Sequence, residues 1–140
     1  MENITKTIIT VRASVNAPVE KVWKHWTSPE SILLWNNASD DWHTPRASND
    51  LRKDGKFKYR MEARDGSMGF DFEGVYDKVI VNKQIDYTIG DGRKVKITFT
   101  TDGKTTDVIE TFEAESTHSH ELQRSGWQSI INNFKKFTES

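Results

Sequence analysis

The closing stretch of the chain, Ser119 to Phe137, carries its widest apolar face. Projected at about 100° per residue, Leu122, Gly126, Trp127, Ile130, Ile131, Phe134 and Phe137 fall within one half circle, while Glu121, Arg124, Gln128, Asn132, Lys135 and Lys136 fill the other. That pattern predicts a long helix lying on an apolar surface. Gln123 interrupts the apolar arc. An amide buried without a partner costs roughly 1 to 3 kcal/mol, so Gln123 is either satisfied by the core or faces a cavity.

Upstream, Thr5 to Val15 alternates as a half-buried strand does, with Thr7, Ile9, Val11, Ala13 and Val15 on one side and Lys6, Ile8, Thr10 and Arg12 on the other. Pro18 suits the first position of a short helix whose apolar residues Val19, Val22, Trp23 and Trp26 follow at helical spacing. Ser28 and Pro29 repeat the start signal for a second short helix carrying Ile32, Leu33 and Trp35. From Asn36 to Arg52 the pattern dissolves into Asn, Asp, Ser and Pro, which predicts a loop with a brief strand near Ala47 to Leu51.

Four Asp-Gly pairs then punctuate alternating runs, at 54-55, 65-66, 91-92 and 102-103. Such pairs are strong hairpin signals because glycine accepts the positive φ that tight turns demand. They predict a meander of strands Lys56 to Arg64, Ser67 to Ile80, Gln84 to Ile89, Arg93 to Thr101 and Thr105 to Glu113, with Asn82-Lys83 as the one turn lacking Asp-Gly. The inward faces are Phe57, Tyr59, Met61 and Ala63; Met68, Phe70, Phe72 and Tyr76; Ile85, Tyr87 and Ile89; and Val95, Ile97 and Phe99. In the last strand the register that turns Val108 and Phe112 inward also turns Glu110 inward. A carboxylate there is rare unless paired, and the opposite register, with Ile109 inward, stays open for an edge strand.

One strand, two short helices, an antiparallel meander and a long final helix make an α+β domain in the order β-α-α-β-β-β-β-β-β-α, with the curved sheet wrapped around the last helix. A strongly twisted sheet closing on a helix about 10 to 12 Å wide leaves room for an internal pocket. The 140 residues suit a single domain, 1–140, that buries a core without staples.

Composition narrows the partners. There is no cysteine, which removes disulfides, thiolate metal sites and a cysteine nucleophile. Lys plus Arg number 20 against 21 Asp plus Glu, so no strong field draws in nucleic acid or anionic lipid. No run approaches the length of a membrane span, and the first residues lack the basic and apolar regions of a secretory signal. A cytoplasmic monomer is the expectation.

No nucleophile elbow, phosphate loop, zinc helix or dinucleotide fingerprint occurs, and no cofactor is expected. His118 and His120 lie about 200° apart on a helix, so one face cannot offer both to a metal. His25 is read as a solvated residue on the polar side of the first helix. His43, beside Asp40, Asp41 and Trp42, has carboxylates that could tune it for acid or base work, against the plainer reading of a tied-down loop with Trp42 as its plug. Gly69 and Gly74 read first as bends that let the sheet curl and second as openings for a ligand. Gly126 either admits close packing by an aromatic neighbour or enlarges the pocket.

The ordered text resembles a known family. Ala17-Pro18-Val19-Glu20-Lys21-Val22-Trp23, Trp26-Thr27-Ser28-Pro29-Glu30, Trp35, Asp50-Leu51-Arg52 into Gly55-Lys56-Phe57, Gly74-Val75-Tyr76 and Gly126-Trp127 are similar to the activator of Hsp90 ATPase homologue branch of the START and birch-pollen-allergen-like superfamily, also called SRPBCC. Ser39-Asp40-Asp41-Trp42-His43 and Gly69-Phe70-Asp71-Phe72-Glu73-Gly74 resemble a bacterial single-domain subgroup. The resemblance implies the helix-grip fold. Its activity is left wide, because relatives include lipid carriers, hormone receptors, cyclases, a resistance protein and a co-chaperone. The chain matches only the C-terminal half of that co-chaperone, so stimulation of an Hsp90-type chaperone is not carried over.

The function expected from these readings is binding of a hydrophobic, aromatic or lipid-like molecule, in a possibly stress-related role, within a cavity walled by Trp23, Phe57, Tyr59, Phe70, Phe72, Tyr87, Phe99, Trp127 and Ile130. Glu110 and Gln123 would be its sparse polar anchors. Five Trp and seven Phe could equally fill that space themselves. A protein-interaction module of co-chaperone type and a cyclase- or hydrolase-like enzyme, with Glu110 and His43 as weak catalytic candidates, are the alternatives.

Overall fold

The computed structural model describes residues 7–140. Its elements run β1 (Ile8–Val15), α1 (Val19–Thr27), α2 (Pro29–Trp35), β2 (Trp42–Asn49), β3 (Lys56–Ala63), β4 (Gly69–Ile80), β5 (Gln84–Ile89), β6 (Lys94–Thr101), β7 (Thr106–Glu113) and α3 (His120–Glu139). All seven strands form one antiparallel sheet in the order β1-β7-β6-β5-β4-β3-β2. The meander accounts for five pairings between strands adjacent in sequence, β2 to β7. The α1–α2 crossover carries the chain from one edge, β1, to the other, β2.

Alternation decides which side of the sheet is dry. Ile9, Val11, Ala13 and Val15 of β1, Ile85, Tyr87 and Ile89 of β5, Val95, Ile97 and Phe99 of β6, and Val108, Glu110 and Phe112 of β7 all point to the buried side. The register of β7 is therefore the one that turns Glu110 inward, opposite Val11 on one flank and Ile97 on the other. Over this face lies α3, burying Gln123, Ile131, Phe134 and Thr138. Ser119 caps it by accepting from the Leu122 N–H at 3.1 Å. The rings of Trp26, Trp35 and Phe134, with centroids 4.8 to 5.0 Å apart, lock α1, α2 and α3 together.

Turn chemistry follows the Asp-Gly pairs with one twist. Gly66, Gly92 and Gly103 take the positive φ, whereas in the first pair Asp54 does so at 67°, and Asn82 does so at 64° in the turn without Asp-Gly.

Several expectations need correction. Within the predicted first strand, Thr5 and Lys6 lie outside the described residues, the strand starts at Ile8, and Thr7 is exposed. Pro18 precedes α1 as its cap and its carbonyl accepts from Val22 N–H at 3.1 Å. The predicted loop from Asn36 contains a full strand, β2, whose pairing shifts between His43 and Arg46; Pro45 sits in that interruption, which an edge strand tolerates. Met68 and Phe70 are exposed because they lie at the hairpin end of the sheet, Met68 just before β4 and Phe70 in its second position. Leu122, in the first turn of α3, projects past the sheet and is 59% exposed.

The bulge of β4 falls between Tyr76 and Lys78, while Gly69 and Gly74 stay in register with Glu62 and Phe57. Gly74 is needed for close approach: an added Cβ would meet Thr88 O at 2.5 Å and the Phe57 ring at 2.9 Å. His25 is not simply solvated. Its ring packs on Phe137 at 4.9 Å with Nδ1 3.3 Å from Thr138 Oγ1, and partial burial, then Lys21 and Lys24, lower its pKa.

Candidate functional site

Between α3 and the concave face of β3–β7 is a recess of about 320 Å³. Phe57, Tyr59, Phe70, Phe72, Tyr87, Glu110, Gln123, Trp127 and Ile130 line it, which brings together nine of the residues singled out from the sequence. Trp23 and Phe99 lie outside it. They meet edge to face at 5.3 Å and fill the interior behind it. His43 also lies elsewhere, on β2 opposite Glu62.

The aromatic wall is continuous. Phe57 contacts Tyr59, Phe72, Tyr76 and Tyr87 at centroid distances of 4.8 to 5.8 Å, and Phe72 meets Trp127 edge to face at 6.1 Å. Trp127 in turn stacks on Phe112 at 3.9 Å, nearly parallel at 11°. Offset and edge-to-face pairs of this kind add about 0.5 to 1.5 kcal/mol beyond area burial.

Glu110 is the anomaly in this wall. It is 6% exposed, among the described residues no hydrogen bond or ion pair reaches its carboxyl, and its oxygens open onto the recess. Burial alone pushes its pKa from 4.5 up to about 8, so the group is largely neutral at pH 7. Burial, with the charge of Glu110 as a lesser cause, also raises the Tyr59 and Tyr87 hydroxyls well above their ordinary value, and both residues share the lining with Glu110.

Gln123 plays a different part. Its Oε1 accepts from Glu115 N–H at 2.9 Å, and its Nε2 donates to the carbonyls of Glu115 and His118 at 3.1 and 3.0 Å. The whole amide is engaged in pinning the loop between β7 and α3. That loop brings Glu115 and His118 to the mouth, where the Glu115 carboxylate accepts from the backbone N–H and the ring of His118 and is held below its usual pKa by them.

Other lining residues were not singled out as site residues. Met61, Tyr76 and Ile85 belong to inward faces that the alternation had marked, and Trp26, Trp35 and Asn36 come from the helical crossover. Arg93, Glu115 and His118 stand beside tight turns and a loop, where no periodicity points inward. The space at Gly126 is open, with no neighbouring atom within 4 Å of an added Cβ. Of the two readings of that glycine, close aromatic packing does not hold.

Comparison with known proteins agrees with this architecture. A family model described as activator of Hsp90 ATPase homolog 1-like protein matches residues 16–139. The solution structure of an AHSA1-like protein from Aeromonas hydrophila superposes with a TM-score of 0.89 at 40% identity, covering 95% of this chain and 92% of that one. Chr148 from Cytophaga hutchinsonii is 56% identical, with a TM-score of 0.82 and coverage of 94% and 91%. The Aha1 dimer from Colwellia psychrerythraea shares the fold at 17% identity, with a TM-score of 0.75 and coverage of 95% and 96%. No protein of curated function matches the sequence. With a family model spanning nearly the whole chain and full-length relatives well above 30% identity, the chain belongs to the activator of Hsp90 ATPase homolog 1-like family.

Proposed function

We propose that the protein binds a small, mainly apolar molecule with a ring system in the recess between α3 and β3–β7. The observation that carries this reading is Glu110, whose carboxyl lines an aromatic recess and has no hydrogen-bond or ion-pair partner among the described residues. A core built only for stability gains nothing from such a group, because burying it unpaired costs free energy. A guest that bonds to it explains its presence.

The setting supports the same reading. A volume of about 320 Å³ lies at the small end of ligand pockets, and a mostly apolar lining with few polar groups is their usual composition. The open space at Gly126 and the half-exposed Phe70, which packs against Trp42 at 6.0 Å, suit an entrance on the side of the β7–α3 loop and the start of β4. His43 takes no part.

Amide chemical shifts test it. Neutral or lipid-like probes, namely indole, 1-naphthol and myristate, are expected to move the amides of Glu110, residues 123–130 and the facing residues of β3 and β4. If none of these probes shifts them, or if the shifts map to the outer face of the sheet, the reading fails.

A further inference from the structure

We infer that the guest is an organic ammonium, an amine cation attached to an aromatic body, with the Glu110 carboxylate as its counter-charge and the rings of Phe57, Phe72 and Trp127 as its walls. This deepens the reading above and rests on it.

Most polar groups around the recess are already committed elsewhere. The Tyr76 hydroxyl donates to Asn49 Oδ1 at 2.6 Å, and Asn49 Nδ2 donates onward to Thr27 O at 2.8 Å. That proton leads away from the recess. The Gln123 amide is fully spent on the loop backbone. Arg93 reaches the lining, yet its Nε donates to Asp91 at 2.8 Å and its Nη1 to Glu113 O at 3.3 Å, so it does not neutralise Glu110.

What remains for a guest is the carboxyl of Glu110, which accepts once ionised, beside the Tyr59 and Tyr87 hydroxyls and inside a wall of π faces. A cation is stabilised by both at once, through a charge-assisted hydrogen bond and through the ring quadrupoles. It also balances the charge that the carboxyl acquires on losing its proton, which a neutral guest cannot do.

Proton bookkeeping makes the idea testable. Free Glu110, with a pKa of about 8, holds a proton at neutral pH. Seating an ammonium against the carboxylate releases that proton to solvent. Affinity for the amine should therefore rise about tenfold per pH unit between pH 6 and 7 and level off above about pH 8, before the amine itself deprotonates near pH 10. The other titratable groups facing the recess are Tyr59, Tyr76 and Tyr87, whose pKa values are all raised, together with Arg93 and the Glu115–His118 pair at the mouth.

The experiment is calorimetric titration with tryptamine and 2-phenylethylamine against their neutral isosteres tryptophol and 2-phenylethanol, from pH 6 to 9. The amines should bind at least about tenfold more tightly than the alcohols at pH 8. That preference should vanish in Glu110→Gln, and the pH slope should survive His118→Gln. Equal affinities of amine and alcohol, a preference that persists in a folded Glu110→Gln, or a slope that disappears with His118→Gln would overturn the ammonium assignment while leaving the recess reading in place. If Glu110→Gln does not fold, the wild-type slope and the amine-to-alcohol ratio decide alone. Silence from amines, alcohols and indole together removes both readings.

Discussion

The side-chain amide of Gln128 on α3 closes both backbone hydrogen-bonding groups of Arg12 on β1: Arg12 N–H donates to Oε1 at 3.2 Å, and Nε2 donates to Arg12 O at 2.8 Å. An amide offers one acceptor and one donor in the geometry of a peptide group, so Gln128 stands in for a neighbouring strand. Lys135 Nζ, which donates to Ser14 O at 2.7 Å, and Glu139, which accepts from Asn16 N–H at 2.7 Å, continue the same work along alternate residues. The final helix thus covers the sheet face with its apolar side and the β1 edge with its polar flank.

Gln128→Ala is therefore expected to lower stability by about 1 kcal/mol and to increase self-association through β1. Urea denaturation and light scattering measure the two effects. Unchanged values for both would mean that water replaces the amide without loss.

Glu110 gives the fold a pH dependence of definite sign. Its folded pKa of about 8 exceeds the ordinary 4.5, so between these values the native state holds a proton that the unfolded state has released. Stability falls as pH rises through that window, on the order of 1.4 kcal/mol per unit, with no penalty below it and the full penalty above it. Glu110→Gln should be the more stable protein at pH 8, and its advantage should shrink towards pH 5. Parallel melting temperatures across pH 5 to 8 would refute this.

The two glycines of interest should respond in opposite directions. Gly74→Ala forces a Cβ against Thr88 O and the Phe57 ring and should cost about 1 to 3 kcal/mol. Gly126→Ala adds a methyl into open space and should gain about 0.5 to 1 kcal/mol from helix propensity. Chemical denaturation of both variants checks the pair.

Gln123→Ala removes three hydrogen bonds that hold the β7–α3 loop. A loss of about 1 to 3 kcal/mol is expected. Faster hydrogen exchange should be confined to residues 114–119 and the first turn of α3, and uniform exchange across the chain would argue against a local pin.

Much of the fold is legible along the chain. Period-two alternation placed Tyr87, Ile97 and Phe99 on the buried face and left the register of β7 open, and turn signals set the starts of β5, β6 and β7 to within a residue. Only the end of β2 was legible, as a brief strand near Ala47 to Leu51, because Pro45 and the shift beside it break the alternation that the full strand would otherwise display. The candidate site was legible in part. Trp23 and Phe99 carry the same apolar signal as Phe57 and Phe72, yet the first two occupy the core and the others line a recess.

Local pattern settled the element order, the inward faces of β5 and β6 and the helical period of α3, because each depends on the backbone geometry and solvation of residues close in sequence. The state of Glu110, the pinning role of Gln123 and the covering of β1 by Gln128 depend on groups up to 116 residues apart. They were decided only when the sheet curled against the helix, since desolvation and hydrogen-bond geometry are properties of the assembled space and not of any one segment.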